Sequence, residues 1–328
     1  LGALAGRFAD RYKQQAELLR EHDLPGVARG DIVPAGTRRD VAGLEKLDVR
    51  ARTLLATAEV GYPIVRSLTR TLRGWAGMDF VEQEVELGGA TFSRDRLRVA
   101  HARLVGTLIG DGVSPGRSFA EPKWRLASSI EARKGLGNFG ATDGCAAAVP
   151  GCVAPGDVAP SRPDGRSNAA LVRGHVAAEY RPKPRVTYAL ALRGQYAASP
   201  LLSFEEFSAG NYTVGRGFDP GALVGDSGIG VQGEVRLGST IPTGPRRLAI
   251  EGYGFLDHAR VGNRGHLDEI AGPNRLSSAG GGARLAWDRF LLDVAVAAPL
   301  TPIGAPGDKP GPRLLVSLTS RLWPWSLQ

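Results

Sequence analysis

This chain of 328 residues lacks several features that would identify common protein classes. No stretch reaches the roughly 18 uncharged apolar residues of a membrane-spanning helix, which excludes a helical membrane protein. The five histidines are scattered, and no pair has the spacing of a metal site on a helix. Phosphate-binding and dinucleotide-binding glycine motifs are also missing. We therefore expect no metal, no cofactor and none of these nucleotide-dependent enzymes.

Basic residues outnumber acidic ones, but they form no basic run. The formal charge is +8, with 41 basic and 33 acidic residues spread along the chain. A nucleic-acid-binding surface would concentrate this charge in one patch. We therefore expect no nucleic-acid partner.

Glycine is abundant, with 45 residues, and hydrophobic residues make up 42% of the chain. An interior glycine costs a helix about 1 kcal/mol, which disfavours a helical bundle. The hydrophobic content is too high for a wholly disordered chain. The composition therefore favours a large β-rich protein, either soluble or in an outer membrane.

Cysteine occurs twice, at Cys145 and Cys152, in a loop rich in glycine, proline and alanine. Two cysteines this close indicate a small disulfide-closed loop in an oxidising compartment. Two free thiols are the alternative. A structural zinc site needs four ligands, and no histidine pair lies nearby.

The first 48 residues differ from the rest of the chain. Residues 2–21 carry apolar side chains every three or four positions, which predicts one amphipathic helix. A linker containing glycine and proline follows. We therefore divide the chain into an N-terminal helix and linker, residues 1–48, and a β-domain, residues 49–328.

From residue 48 onward the hydrophobic period changes to two, which is the period of a β-strand with one apolar face. The predicted strands are longer than the usual ~5–6 residues of globular proteins and match the ~9–11 residues that cross a bilayer. Short turns alternate with long loops, as in outer-membrane barrels. The predicted strands are 50–62, 66–82, 94–107, 122–134, 168–180, 185–197, 228–238, 246–258, 278–287, 289–298 and 312–323.

The polar face of these strands carries charged side chains, among them Glu251, Asp257 and Asp293. A membrane barrel would turn this face inward, whereas a soluble sandwich would turn it to water. The pattern alone leaves both open. Several aromatic residues near strand ends are typical of the interfacial girdle of a membrane barrel. They are Tyr62, Trp75, Tyr180, Trp287 and Trp323.

The segment Gly225-Asp226-Ser227-Gly228 resembles the nucleophile segment of trypsin-like serine proteases. That chemistry requires a histidine base and an aspartate to orient it. The next residue is Ile229 where the protease pattern expects glycine, and no histidine has the matching context. A glycine-rich turn is the favoured interpretation, so no catalytic residue is assigned.

A more specific motif is Gly215-Arg216-Gly217-Phe218, within the long stretch from Leu201 to Gly221. It resembles the transporter component of two-partner secretion, the TpsB family of haemolysin secretion and activation proteins. The family signature is Val-Arg-Gly-Tyr/Phe, on a long loop that folds back into the barrel lumen. Here Gly215 stands in place of the valine. Further residues that look like the family follow at Asp226, Gly228, Glu234 and Arg236.

A second match lies in the strand Gly254-Phe255-Leu256-Asp257-His258-Ala259, which resembles the family's Phe-x-Asp-x-Gly motif. Ala259 stands in place of the last glycine. The resemblance implies that Asp257 is the partner of Arg216 inside the lumen, with Phe255 beside it. A guanidinium–carboxylate pair in a confined lumen can pin a loop.

The resemblance covers roughly residues 50–323 and implies an all-β fold, a transmembrane antiparallel β-barrel. The family has about sixteen strands and periplasmic POTRA domains. We count eleven or twelve strands and no POTRA domain, so we expect a partial barrel. The implied location is the Gram-negative outer membrane, and the implied partners are a secreted exoprotein, such as an adhesin or haemolysin, and outer-membrane lipid. We expect a monomer without enzymatic activity. An outer-membrane protein assembly factor and a passive porin-like channel are the alternatives.

Overall fold

The computed structural model describes residues 29–38, 49–110, 121–142, 158–241, 248–265, 274–303 and 310–320. Within these ranges no helix is long and apolar enough to cross a membrane. The predicted helix over residues 2–21 lies outside the described residues. The strands are β1 (Arg29–Arg38), β2 (Val49–Arg66), β3 (Arg70–Leu87), β4 (Ala90–Ile109), β5 (Trp124–Gly135), β6 (Ala170–Lys183), β7 (Val186–Ala197), β8 (Phe207–Ala209), β9 (Leu223–Gly225), β10 (Ser227–Gly238), β11 (Leu248–Gly262), β12 (Arg275–Trp287), β13 (Phe290–Pro299) and β14 (Arg313–Ser320).

Twelve of these strands form one antiparallel sheet in the order β1-β2-β3-β4-β5-β6-β7-β10-β11-β12-β13-β14. Each strand pairs with its neighbour in the chain, so the sheet is an up-and-down meander. The exception is the step from β7 to β10, whose connection contains the separate two-stranded β8–β9 ribbon. The all-β prediction is confirmed, and each of the eleven predicted strands overlaps one strand of this sheet.

The first strand corrects the linker predicted before residue 49. Residues 29–38 pair with β2, from Arg29 opposite Glu59 to Arg38 opposite Arg50. Pro34, together with nearby glycines, hides the strand in the sequence. Proline is tolerated in an edge strand because the backbone groups on the outer side of such a strand have no neighbouring strand to bond to. Since β1 lies at the edge of the described sheet, the strand can include Pro34.

The two faces of the sheet have the reverse polarity of a soluble protein. On β11, Leu256 is 59% exposed while its neighbour Asp257 is fully buried. Across the sheet, the buried face carries charged residues such as Glu59, Asp79 and Arg133. Water would favour the opposite arrangement, whereas a lipid environment favours apolar residues outside. The structure therefore favours the membrane interpretation over the soluble sandwich.

Exposed aromatic residues gather at the sheet end that carries the short β6–β7 and β12–β13 turns. Tyr180 and Tyr188 face each other across β6 and β7, and Trp287 faces Phe290 across the next such turn. All four are exposed, which fits an interfacial girdle. Trp75 does not belong to it. This residue is buried and lines an internal cavity, so its assignment to the girdle is wrong.

The polarity of the faces predicts that Leu256→Arg prevents stable insertion. An arginine on the lipid face near the middle of a strand costs about 2–4 kcal/mol. The measurement is the free energy of unfolding in lipid vesicles during a denaturant titration. The control is Leu68→Arg, in the exposed turn between β2 and β3, which we expect to leave stability unchanged. Equal stability of both variants would contradict the lipid-facing assignment.

Candidate functional site: a segment folded back onto the charged face

Residues 198–226 connect β7 to β10 and are here called the folded-back segment. Its apolar side chains, including Val214 and Phe218, are almost fully buried. They form a cluster with Ala259 and Val261 of β11 and Leu276 of β12. The segment therefore lies against the inner, charged face of the sheet and packs against apolar side chains of that face.

Arg216, at the tip of this segment, is held by Asp257 of β11. Its Nη2 donates to Oδ1 of Asp257 at 2.7 Å, its Nε donates to Oδ2 at 3.0 Å, and its backbone N–H donates to the same Oδ2 at 2.9 Å. The Ser278 hydroxyl also donates to Asp257, at 3.3 Å. Bidentate charge-assisted bonds of this kind are the strong ones among side-chain hydrogen bonds. The carboxylate thus binds both the side chain and the backbone of the segment tip.

Two further groups complete the surroundings of Arg216. Its Nη1 donates to Glu234 of β10 at 2.5 Å, and its guanidinium lies 3.6 Å from the ring centroid of Phe255. Burial would lower the pKa of Arg216, but its bonds to Asp257 and Glu234 outweigh burial and raise the pKa above its ordinary value. Arg216 is therefore a permanent cation at this position.

Glu234 extends the contact into a network across four strands. Its second oxygen accepts from Arg236 at 2.7 Å and from Arg284 at 3.4 Å. Arg236 also donates to Glu179 of β6 at 2.8 Å, and Arg284 donates to Glu251 at 2.9 Å. The residues predicted to support the site, Glu234 and Arg236, therefore connect Arg216 to β6, β11 and β12.

The two glycines beside Arg216 allow the close approach. Gly215 has a φ of 112°, a region that favours glycine, and an added Cβ would lie 2.5 Å from Leu276. At Gly217 an added Cβ would lie 2.9 Å from Ser278 and 2.9 Å from the backbone nitrogen of Pro299. Glycine at 217 therefore allows the segment to touch β12 and β13 directly.

The end of the segment is anchored by Asp226, which is fully buried. It accepts from Nη1 of Arg162 at 2.6 Å and from the backbone N–H groups of Leu201 and Arg264 at 2.7 and 2.6 Å. Burial would lower the pKa of Arg162, but Glu206 and Asp226 outweigh it and raise the pKa. Asp226 therefore ties three connections of the same sheet end together.

A third anchor was not predicted from the sequence. Arg133 of β5 makes a bidentate pair with Glu205 of the segment, both bonds being 2.9 Å. The same guanidinium bonds to Glu131 at 2.7 Å and lies 2.8 Å from Asp79. Glu205 is 72 residues from Arg133 in sequence and belongs to no pattern that would join the two. Alternation places Arg133 on the polar face, but only the fold brings it to the segment.

The other predicted residues in this region, Ser227 and Gly228, take part in backbone hydrogen bonding and close packing. Ser227 is the first residue of β10, and its Oγ accepts a hydrogen bond from the backbone of Ala197 at 3.0 Å. Gly228 leaves room for the ring of Phe207. Cys145 and Cys152 lie outside the described residues, so their disulfide stays a prediction.

A family model described as "Haemolysin secretion/activation protein ShlB/FhaC/HecB" matches residues 111–285. The matched range includes β5 to β11, the folded-back segment and nearly all of β12. It therefore covers more than half of the chain, including Arg216 and Asp257. Among curated protein sequences, none matches.

Several solved structures have the same fold. CdiB from Escherichia coli aligns with a TM-score of 0.64 and 14% identity, covering 83% of this chain and 46% of that one. CdiB from Acinetobacter baumannii aligns with a TM-score of 0.61 and 20% identity, covering 87% of this chain and 46% of that one. BamA from Haemophilus ducreyi lacking POTRA domains 1–3 aligns with a TM-score of 0.58 and 11% identity, covering 89% of this chain and 58% of that one. The chain thus spans about half the length of the structures it matches.

The contacts of Gly217 predict that Gly217→Ala loosens the segment tip. The added methyl group would meet the backbone of β13, which cannot move without disturbing the sheet. Limited proteolysis of the folded protein should therefore cut residues 198–226 faster than in the wild type. The control is Gly252→Ala on β11, where an added Cβ meets no atom within 4 Å. Equal cleavage rates for both variants would contradict the close approach.

The Arg133 cluster predicts a large loss of stability for Arg133→Ala. Removal of one partner leaves the carboxylates of Asp79 and Glu205 buried without this cation, and breaking a buried pair costs about 3–5 kcal/mol. The free energy of unfolding in detergent measures the loss. Arg289→Ala, at an exposed turn pair with Asp288, is the control and should cost less than about 1 kcal/mol. A similar small loss for Arg133→Ala would contradict its role as an anchor.

Proposed function

Because the chain belongs to the haemolysin secretion/activation family ShlB/FhaC/HecB, we propose that it moves a large exoprotein outward across the Gram-negative outer membrane. The proposed cargo is of the adhesin or haemolysin type, translocated in two-partner secretion. The family's members are outer-membrane β-barrel proteins. The observation that carries the proposal is the family match over the strands and segment that contain Arg216 and Asp257.

In this proposal the folded-back segment is a loop inside the barrel lumen, and Arg216 and Asp257 pin it there. The reversed polarity of the sheet supports this arrangement, since the segment touches the charged face and not the apolar one. Lumen-facing loops in such barrels narrow or plug the channel. The pinned segment then shapes the passage through which an unfolded chain travels.

The energetics favour a segment that stays docked at rest. If the segment tip left, Asp257 would lose three hydrogen bonds from Arg216 and would keep the Ser278 hydroxyl as a donor. Charge-assisted bonds of this kind are roughly twice as strong as neutral ones, so their loss opposes undocking. Three separate ion-pair anchors, at Arg133, Arg162 and Arg216, hold the segment at its beginning, end and tip. Displacement during transport would therefore need compensating contacts from the cargo.

The proposed partners are the exoprotein and the lipid of the outer membrane, and the proposed unit is a monomer. Translocation of this kind makes and breaks no covalent bond, so no residue is assigned to catalysis. Folding of the cargo outside the cell would supply the driving force, because a folded exoprotein cannot return through the passage.

The lumen pair predicts that Arg216→Ala and Asp257→Ala each reduce secretion of the partner. The double variant should be no worse than the more impaired single variant, because the two side chains act as one unit. The measurement is the amount of exoprotein in the medium, normalised to the folded transporter in the outer membrane. A matched control is Arg313→Ala, which breaks the more exposed pair between Arg313 and Asp219 of the same segment, 2.8 Å apart. This control should secrete normally.

Two outcomes would overturn parts of the proposal. Full secretion by both single variants would contradict the role of the pair. Normal secretion by cells without the transporter, combined with reduced levels of unrelated outer-membrane proteins, would indicate an assembly factor instead. The family match favours secretion over assembly, whereas the fold is common to both.

A further inference from the structure

A large cavity lies between the folded-back segment and the inner face of β3 to β7. Its volume is about 1030 Å³. This volume lies at the upper end of the ~300–1,000 Å³ range of small-molecule pockets. Phe207 and Tyr212 of the segment form part of its wall, and Trp75 of β3 contributes another part. The cavity is therefore the space left beside the segment.

The wall of this cavity is strongly basic. It contains five arginines and one carboxylate, namely Arg73, Arg103, Arg125, Arg173, Arg193 and Glu131. The single carboxylate is already neutralised by neighbouring cations, because its two oxygens accept from Arg133 at 2.7 Å and from Arg173 at 2.9 Å. Arg103 is paired with Glu59 as well, and the five arginines of the described lining still outnumber these two carboxylates.

Strand pairing gives the arginines a regular arrangement. Arg103, Glu131 and Arg173 face each other across β4, β5 and β6. Two residues further along β6 from Arg173, His175 faces Arg193 of β7. Since residues two apart share a face, these two rows lie side by side on the inner surface. The positive charge is therefore a band across the wall and not one isolated side chain.

Aromatic rings hold two of these guanidinium groups in place. Arg103 lies 5.7 Å from the ring centroid of Trp75, and Arg193 lies 5.7 Å from that of Phe207. Arg103 is also paired with Glu59 of β2, at 3.4 Å, whereas a cation–π contact orients a guanidinium without neutralising its charge. The Arg193 guanidinium, which Phe207 orients, can donate two parallel hydrogen bonds to an incoming carboxylate.

We propose that this basic wall binds acidic stretches of the polypeptide that passes beside the folded-back segment. A cavity lined by one sign of charge with low-dielectric walls concentrates ions of the opposite sign. Rings of arginine have this effect in anion pores. That the ligand is a polypeptide rests on the proposed function. That it is acidic rests on the positive charge of the cavity wall.

The test measures binding directly, with the full chain folded in detergent micelles. The probe is a fluorescein-labelled peptide of glycine, serine and glutamate, compared with peptides in which lysine or glutamine replaces every glutamate. We expect the glutamate peptide alone to bind, and its affinity should fall as salt screens the charges. Equal binding of the glutamate and glutamine peptides would overturn the proposal.

The variant that removes the charge is Arg73→Gln combined with Arg125→Gln and Arg193→Gln. It should bind the glutamate peptide roughly tenfold more weakly. The matching lysine triple at these positions should keep most of the affinity, because it keeps the charge. A matched control replaces Arg66, Arg185 and Arg289 with glutamine, which removes the same charge from exposed turn-end positions. This control should bind as the wild type does, and an equal loss in it would overturn the proposal.

Two comparisons separate this inference from others. An oligodeoxynucleotide of equal charge is the second probe. If it bound more tightly than the glutamate peptide, and if the glutamine triple variant no longer bound it, the choice of a polypeptide would be overturned. Since the assay needs no secretion, loss of the proposed function leaves a positive binding result intact. Conversely, normal secretion with equal binding of acidic and neutral peptides would overturn the basic wall alone.

Discussion

The constraint that governs this protein is that charged side chains must be neutralised on the inside of a sheet whose outside is apolar. Buried charges are tolerated only when they are paired and hydrogen-bonded. Arginine meets this demand better than lysine, because its planar fork bonds to several carboxylates at once. Arg133 bonds to Glu131 and Glu205 and lies beside Asp79, and Arg284 bonds to three carboxylates.

The folded-back segment is a second layer held by that constraint. Its ion-pair anchors at Arg133, Arg162 and Arg216 fix its beginning, end and tip. Apolar contacts accompany these anchors: just before Glu205, Leu202 and Phe204 pack against Val81 and other residues of the wall. Ion pairs give the segment its position, while apolar burial excludes water from the contact. The basic cavity lies beside the segment, whose Phe207 and Tyr212 form part of its wall.

Sequence reasoning succeeded where a local rule applies and failed where a long-range contact decides. Alternation located the strands, because the side-chain period of a strand is a property of the backbone. It missed β1 because Pro34 interrupts the usual composition of a strand. It placed Trp75 in the girdle because position near a strand end does not reveal which face a side chain occupies. The inward face of β3 holds Trp75 beside Arg103, where it lines the cavity.

The sequence by itself determined the β-rich class, the strands of the sheet and, by resemblance, the association of Arg216 with Asp257. These follow from periodicity and from short motifs, which are local properties of the chain. Only the tertiary structure decided which face is inside, how Arg133 and Arg162 reach the segment, and that five arginines share one cavity wall. Those facts depend on strand pairing between residues far apart in the chain. The physical reason is that the environment of a charge is set by all the strands around it, and no local pattern records that environment.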